Sequence, residues 1–356
     1  MGSREAADGN GGDRPARPRI KDVAAHCGVA PSSVSRVLTG HPSVGAELRE
    51  RVLRSVRALG YSPDLLAQAL RSQRTRTVGF VVGDISNPLI ADIVAGAEER
   101  LRKSRYSVLL TNSMREPDRE AEHIRLLQRR RVDGLLLSLS SESHAGTLAA
   151  IEEESGPVVL IDRTLPGEPT ASAVLSAHAT GMRAAVGHLL RLGHTRIGLM
   201  VGPGVRPAKE RVRSLLEVYR EQGAPPDYLI RQDVPLTVPA AKEAALSMFR
   251  DAGGCTALIV GGNQLLPGVM TALHELDLRP GADIAFIACD RTVVTDVLKP
   301  EIAVIHRDNR QVGYEAADLL LRQFDSDGRV ETVTLPTEFL PGRTCCPLSA
   351  DLYRRH

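Results

Sequence analysis

The sequence predicts a small all-α module at the N-terminus followed by a two-lobed α/β domain, and three observations carry that prediction. Short amphipathic helical patterns fill residues 20–59. From residue 77 onward the texture changes to short runs that are apolar throughout, separated by longer helical patterns: TVGFVV, SVLLT, DGLLLSL, PVVLID, RIGLMV, ALIV and DIAFIA. Strands without polar alternation are buried on both faces, as in a parallel sheet covered by helices. The third observation is length: roughly 270 residues of this repeating unit exceed what one small sheet holds, so two doubly wound lobes are expected.

Taken in order, residues 1–18 are rich in Gly, Asp, Arg and Pro, have almost nothing to bury, and read as a disordered tail. Three short helices follow at about 20–27, 31–39 and 46–59, the last with Leu48, Val52, Leu53, Val56 and Leu59 on one face. SPDLLAQALRS at 62–72 is a fourth helical candidate, opened by Pro63, with an apolar face too small for stability alone. The polar QRTRT then leads into the α/β part, where helices are expected at about 89–103, 117–130, 179–192, 208–222 and 265–277.

The net charge of +2 conceals an asymmetry. Residues 1–76 hold 13 Lys and Arg against 7 Asp and Glu, and the remainder holds 32 against 36. A basic N-terminal fifth points to an anionic partner, nucleic acid before membrane, because no basic amphipathic helix with aromatic anchors is present. The five cysteines show no CxxC or His-linked spacing, so neither a disulfide framework nor a metal site is expected, and a reducing cytoplasm fits. Residues 1–19 lack the apolar stretch of a signal peptide, and no 18-residue apolar run occurs later, so secretion and membrane spanning are not expected.

The stretch IKDVAAHCGVAPSSVSRVL at 20–38 reads as a helix-turn-helix. Val23, Ala24 and Cys27 would pack against Val34, Val37 and Leu38, with Gly28 and Val29 in the turn and small Ala24 allowing close approach. The opposite face of the second helix then offers Ser32, Ser33, Ser35 and Arg36, side chains of a length suited to base edges and phosphates in a major groove. The alternative is an ordinary helical hairpin with a solvated polar face.

The wider series resembles the lactose and galactose repressor family. IKDVAAHCGV, SSVSRVL and LGYSPDLLAQAL look like its headpiece and hinge. VVGDISNPLIADIVAGAEE, RRVDGLLL, VVLIDR, HLLRLGHTRIGLMVGP, ALHELDLRPGADIAFIACD and LPTEFLPGRTCCP fall in the family's order. The resemblance implies a DNA-binding headpiece at 19–61, a hinge helix and linker at 62–76, and a periplasmic-binding-protein-like effector and dimerisation domain at 77–348. Its N-lobe would take about 77–175 plus 307–334 and its C-lobe about 176–306 plus 335–348, leaving a tail at 349–356.

Carried residue by residue, the resemblance implies that Pro31 and Ser32 sit at the first recognition-helix base contacts and that Arg36 reaches a base or phosphate. Ser33 and Ser35 would contact the DNA backbone. Leu70 falls where the hinge helix wedges a leucine between minor-groove base steps, kinking the duplex in exchange for more wrapped surface. Some positions depart from the family. Arg19, Ala30 and Gly45 stand where Ser or Thr usually caps a helix, which costs about 1 kcal/mol for Ala and a few tenths for Gly. Pro31, at a first helical position, recovers part of this. Leu48 replaces a polar backbone contact and Asp64 stands where Asn is common, so a headpiece of modest stability, reinforced by DNA, is expected.

For the effector, the resemblance places DISNP, RVRS and IACD on loops at the carboxyl ends of strands, where open parallel sheets bind ligands. Asp84, Asp162, Arg211, Asn263 and Asp290 would supply hydrogen bonds, with Leu89 and Gln264 at two further effector positions. Leu89 stands where an aromatic is usual and Gln264 where the family has Asp. Arg291 replaces a second Asp, and Ser214-Leu215 replace a Gly-aromatic pair. With aromatics at 3% of the chain, ring stacking is poorly provided. These departures imply a pocket that has lost negative charge and gained a guanidinium, hence an anionic or phosphorylated effector or none.

The expected partners are a palindromic double-stranded DNA operator, a small-molecule effector that is a sugar or an anionic metabolite, and a second copy of the chain. No heptad tail predicts a tetramer. No cofactor, catalytic residue or metal ligand is expected: GHTRIGLMVGPG at 193–204 matches neither GxGxxG nor GxxxxGK, and no GxSxG occurs. The rival reading is a two-lobed sugar-binding protein without DNA function, which would have a leader peptide and no basic headpiece.

Overall fold

The computed structural model describes residues 18–38, 41–61, 74–250, 254–324 and 329–348. They belong to two compact units, Met1–Thr75 and Arg76–His356. The expected tails at 1–18, save residue 18, and 349–356, and the expected 62–72 helix, with Asp64 and Leu70, lie outside the described residues.

In the first unit three helices, α1 (Ile20–Cys27), α2 (Pro31–Leu38) and α3 (Ala46–Leu59), enclose a core of Val23, Ala24, Cys27, Val34, Val37 and Val52. Gly28, at φ 68°, ends α1 in the left-handed region, where only a residue without Cβ is unstrained. His26 Nδ1 and Ser55 Oγ lie 3.0 Å apart and tie α1 to α3. Leu48 packs on this core, but Leu53, expected beside it, is exposed, and Ser55 is buried instead. The buried stripe runs through 48, 52, 55 and 59, and Leu53 lies about 100° around the helix from Val52.

In the second unit the chain lays down β1 (Thr77–Val82), α4 (Pro88–Lys103), β2 (Ser107–Asn112), α5 (Pro117–Arg129), β3 (Gly134–Ser138), α6 (Ala145–Glu152), β4 (Val158–Ile161) and β5 (Ser172–Ser176). It then crosses to a second lobe of α7 (His178–Arg191), β6 (Ile197–Val201), α8 (Arg206–Glu221), β7 (Leu229–Arg231), α9 (Val238–Arg250), β8 (Ala257–Gly261), α10 (Leu266–Glu275), β9 (Ala285–Cys289), α11 (Val293–Val297) and β10 (Ala303–His306). It returns for α12 (Asn309–Gln323) and β11 (Thr332–Leu335) and crosses a third time to β12 (Glu338–Leu340). The first sheet has the order β11-β5-β4-β3-β1-β2 and is wholly parallel. The second, β12-β10-β9-β8-β6-β7, is parallel except for the edge strand β12.

Each sheet carries a hydrophobic cluster on both faces, as the continuous apolar runs require. In β1, Val78, Phe80 and Val82 enter one cluster and Val81 the other. Helices α4 and α12 touch through glycines: a Cβ on Gly96 would lie 1.9 Å from the Arg310 carbonyl oxygen, and one on Gly313 would lie 1.8 Å from that of Ile93. This close approach seats the helix that follows the second crossing directly against the one that follows β1.

Candidate functional site

On α2, Val34 and Val37 face the core while Pro31, Ser32 and Arg36 are exposed and Ser33 and Ser35 are half-buried. The packing that fixes the helix thus leaves its hydroxyls and its guanidinium on the outer side. The Ala30 carbonyl accepts from the amides of Ser33 and Val34, so a residue without a capping side chain opens this helix. Gly45 opens α3 with no side-chain cap, and at α1 the Arg19 amide donates to Asp22 at 2.6 Å.

In the α/β unit, Asp84, Leu89, Asp162, Arg211, Asn263, Gln264 and Asp290 all line one cavity of about 180 Å³ between the lobes. Asp84 follows β1, Asp162 follows β4, Asn263 and Gln264 follow β8, and Asp290 follows β9, each at a carboxyl end of its strand. Arg211 departs from the loop position expected for it and reaches the cavity from within α8. Asp162 and Asp290 take corresponding left-handed conformations, φ 53° and 71°, in the two lobes.

At one end of the cavity the lobes are latched by neutral and charged hydrogen bonds. Asp84 accepts from the Ser86 amide at 2.9 Å and hydroxyl at 2.6 Å, from Arg115 at 2.6 Å and from Gln264 of the second lobe at 2.9 Å. Arg115 also donates to the Gln264 carbonyl, and Asn263 donates to Asn87 at 2.9 Å. Burial works against the Asp84 charge, but the Ser86 hydrogen bonds, then Gln264 and Arg115, outweigh it and lower its pKa.

Deeper in, Arg307, on the second crossing, bridges the lobes. Its Nε donates to Asp290 at 2.7 Å and its Nη1 to Asp162. Asp162 also accepts from the Ser176 amide at 2.7 Å and hydroxyl at 3.0 Å, and lies 3.2 Å from His178 Nε2 and 3.4 Å from Arg206. Asp290 lies 3.5 Å from Arg211, which donates to the Gly261 carbonyl at 2.7 Å. Burial opposes the charge on Asp162, but His178 and Arg307 outweigh it and hold the carboxyl well below its usual range. For Asp290, Arg307 and Arg211 likewise overcome burial. His178 is shifted down too, but there burial is the cause, outweighing the pull of Asp162.

The guanidinium expected at Arg291 is not part of this cavity; that side chain is exposed and pairs with Asp296 at 2.7 Å. Leu215 faces the core of the second lobe, and Ser214 donates to the Glu210 carbonyl at 2.7 Å. The cationic side chains of the cavity are instead Arg115, Arg163, Arg211 and Arg307. Of these only Arg211 was singled out from the sequence. Arg115 sits in a turn, at φ 61°, while Arg163 lies two residues beyond β4 and Arg307 directly after β10, positions where sequence alone also accommodates a solvated cap.

A three-helix headpiece with an exposed polar second helix, joined in one chain to a two-lobed α/β domain with a polar inter-lobe cleft, defines a ligand-responsive DNA-binding regulator. Residues 19–64 match the family of bacterial regulatory proteins of lacI type, and residues 186–345 match a periplasmic-binding-protein-like domain. The ribose operon repressor of Bacillus subtilis is 29% identical over 334 residues, spanning 91% of this chain and 98% of its own. A solved structure from Burkholderia thailandensis, named for a ribose operon repressor, is 31% identical, with a TM-score of 0.68 over 75% of this chain and 99% of that one. The lac repressor dimer bound to operator and the anti-inducer ONPF superposes with a TM-score of 0.82 at 24% identity, over 93% of this chain and 99% of that chain. The chain belongs to the lacI family of bacterial regulatory proteins and is a DNA-binding transcriptional regulator with an effector-binding domain.

Proposed function

We propose that the chain is a repressor of carbohydrate-related metabolic genes that binds a palindromic operator as a homodimer and is modulated by a small molecule held in the inter-lobe cleft. The observation that carries this reading is the outward polar face of α2, set by the burial of Val34 and Val37 in a unit with surplus positive charge. Pro31, Ser32 and Arg36 would contact bases, Ser33 and Ser35 the backbone, and Leu70 the minor groove. Pairing is supported by α11, whose Val293 and Val297 are 77% and 67% exposed with Val294 beside them, an apolar patch of the kind that a second copy covers. The relatives named for the ribose operon support the metabolic setting.

In this reading Asp84, Leu89, Asp162, Arg211, Asn263, Gln264 and Asp290 form the effector site. The ligand acts by favouring one closure of the lobes over another, because it can shift their equilibrium only by its differential affinity for the two arrangements. Selection of bound sequences from random duplexes by the full chain tests the proposal. A two-fold symmetric site, with affinity lost in Leu70→Ala, is the expected result; enrichment of no sequence overturns it.

A further inference from the structure

We infer that the cleft takes a compact monocarboxylic acid with an aliphatic body, gripped through Arg163, rather than a neutral sugar. The inference rests on the reading of the cleft as the effector site and assigns the ligand's chemical class. It begins with charge balance. The cavity is lined by three carboxylates, Asp84, Asp162 and Asp290, and four guanidinium groups, Arg115, Arg163, Arg211 and Arg307. Arg115 pairs with Asp84, Arg211 with Asp290, and Arg307 with Asp162 and Asp290.

Arg163 makes no ion pair among the described residues. Its Nε donates to the Leu139 carbonyl at 2.6 Å and its Nη1 to the Asp162 carbonyl at 2.9 Å, so two of its five N–H groups serve to aim the side chain. Two further carboxylates near it lie outside the lining: Glu142, which accepts from Lys209 and the Arg206 amide, each at 3.1 Å, and Glu120. One Glu120 oxygen accepts from the Ser140 amide at 2.8 Å and hydroxyl at 2.6 Å, and burial raises its pKa, which weakens it as a counter-charge. A half-buried guanidinium without an ion-pair partner attracts an anion, and a carboxylate matches its planar fork.

A sugar needs side chains free to exchange hydrogen bonds with several hydroxyls. Here Asp84, Asp162, Asp290, Gln264, Asn263 and Ser140 are already engaged with one another or with neighbouring groups. Much of the rest of the wall is aliphatic, with Leu89, Ile93, Leu139, Ile161, Val205 and Leu236, beside polar Asn87 and Ser138, and none of the described lining residues is aromatic. Such a wall suits a short hydrocarbon body. A single surplus positive charge balances a monoanion, whereas a phosphate dianion would bring in a charge that the cavity does not offset.

The test is calorimetry and thermal shift on the full chain with three panels: propionate, butyrate, valerate, lactate and pyruvate; ribose and glucose; ribose 5-phosphate and glucose 6-phosphate. At least one monocarboxylate is expected to bind and raise the melting temperature, with affinity reduced about 10- to 100-fold in Arg163→Gln and less in Arg163→Lys, which keeps the charge and serves as the folded control. Tighter binding of a neutral or phosphorylated sugar than of every acid, binding of none of the acids, or acid binding indifferent to Arg163→Gln overturns the inference. Operator binding by the wild-type chain is measured alongside: its presence with any of those results sinks only the ligand class, and its absence sinks the regulator reading itself.

Discussion

On α2, Ser32 and Arg36 face solvent over a core of six buried residues, whereas in the cleft Asp162 and Asp290 are buried and each holds at least two donors from the chain itself. The headpiece face is exposed to a partner that brings its own dense charge. In the cleft the three carboxylates are already paired and Arg307 bridges the lobes, so a ligand that reaches them must compensate for the contacts it displaces. One surface is therefore governed by charge and shape in water, the other by exchange of buried partners.

The sharpest way to break this contrast is to remove the bridge. Arg307→Met leaves Asp162 and Asp290 short of their shared counter-charge and is expected to destabilise the α/β domain by about 3–5 kcal/mol in urea titrations. The same variant should lose part of its acid sensitivity. Asp162 and Asp290 have folded pKa values below the unfolded one of about 3.9, so they add stability above that pH, and it is lost as pH falls through the folded values. An unchanged midpoint and an unchanged acid limb would show that the bridge is ornamental.

Gly313→Ala probes packing without touching either site. Its methyl would meet the Ile93 carbonyl, so α4 and α12 must separate, at an expected cost of about 1–3 kcal/mol in the same titration. A neutral result would mean that the two helices yield freely. The smallest effects belong to the headpiece: Ala30→Ser should stabilise it by about 1 kcal/mol and Gly45→Ser by a few tenths, read as slower amide exchange in α1–α3. Exchange no slower in Ala30→Ser would mean that the helix start gains nothing from a side-chain cap.

Much of the architecture was legible because buried parallel strands such as TVGFVV and DGLLLSL admit no polar alternation. The short strands β5, β7, β10, β11 and β12 were not among the runs picked out. Of these β7, β11 and β12 are edges of their sheets with no fully buried residue, so they need not be apolar throughout. The seven expected effector residues converge on one cavity because resemblance located the strand ends that bear five of them, while Leu89 and Arg211 reach it from α4 and α8. Their partners were hidden for a physical reason: Arg307 meets an aspartate 145 residues earlier, and Arg115 a glutamine 149 residues later, contacts that no local pattern encodes. Arg291 misled because an arginine beside a strand end need not turn inward; here Asp296, one helical turn on, holds it outside.

The account stands most directly on the polar face of α2. Fluorescence anisotropy of the full chain at physiological ionic strength, on its selected duplex and on random competitor, compares wild type with a Ser32→Ala/Arg36→Ala double variant. The account predicts a clear preference for the selected duplex, lost in the double variant, whose binding also shows a salt dependence weaker by about one released counterion if Arg36 meets a phosphate. Equal affinity of the wild-type chain for both duplexes, or a preference that the double variant retains in full, would contradict it.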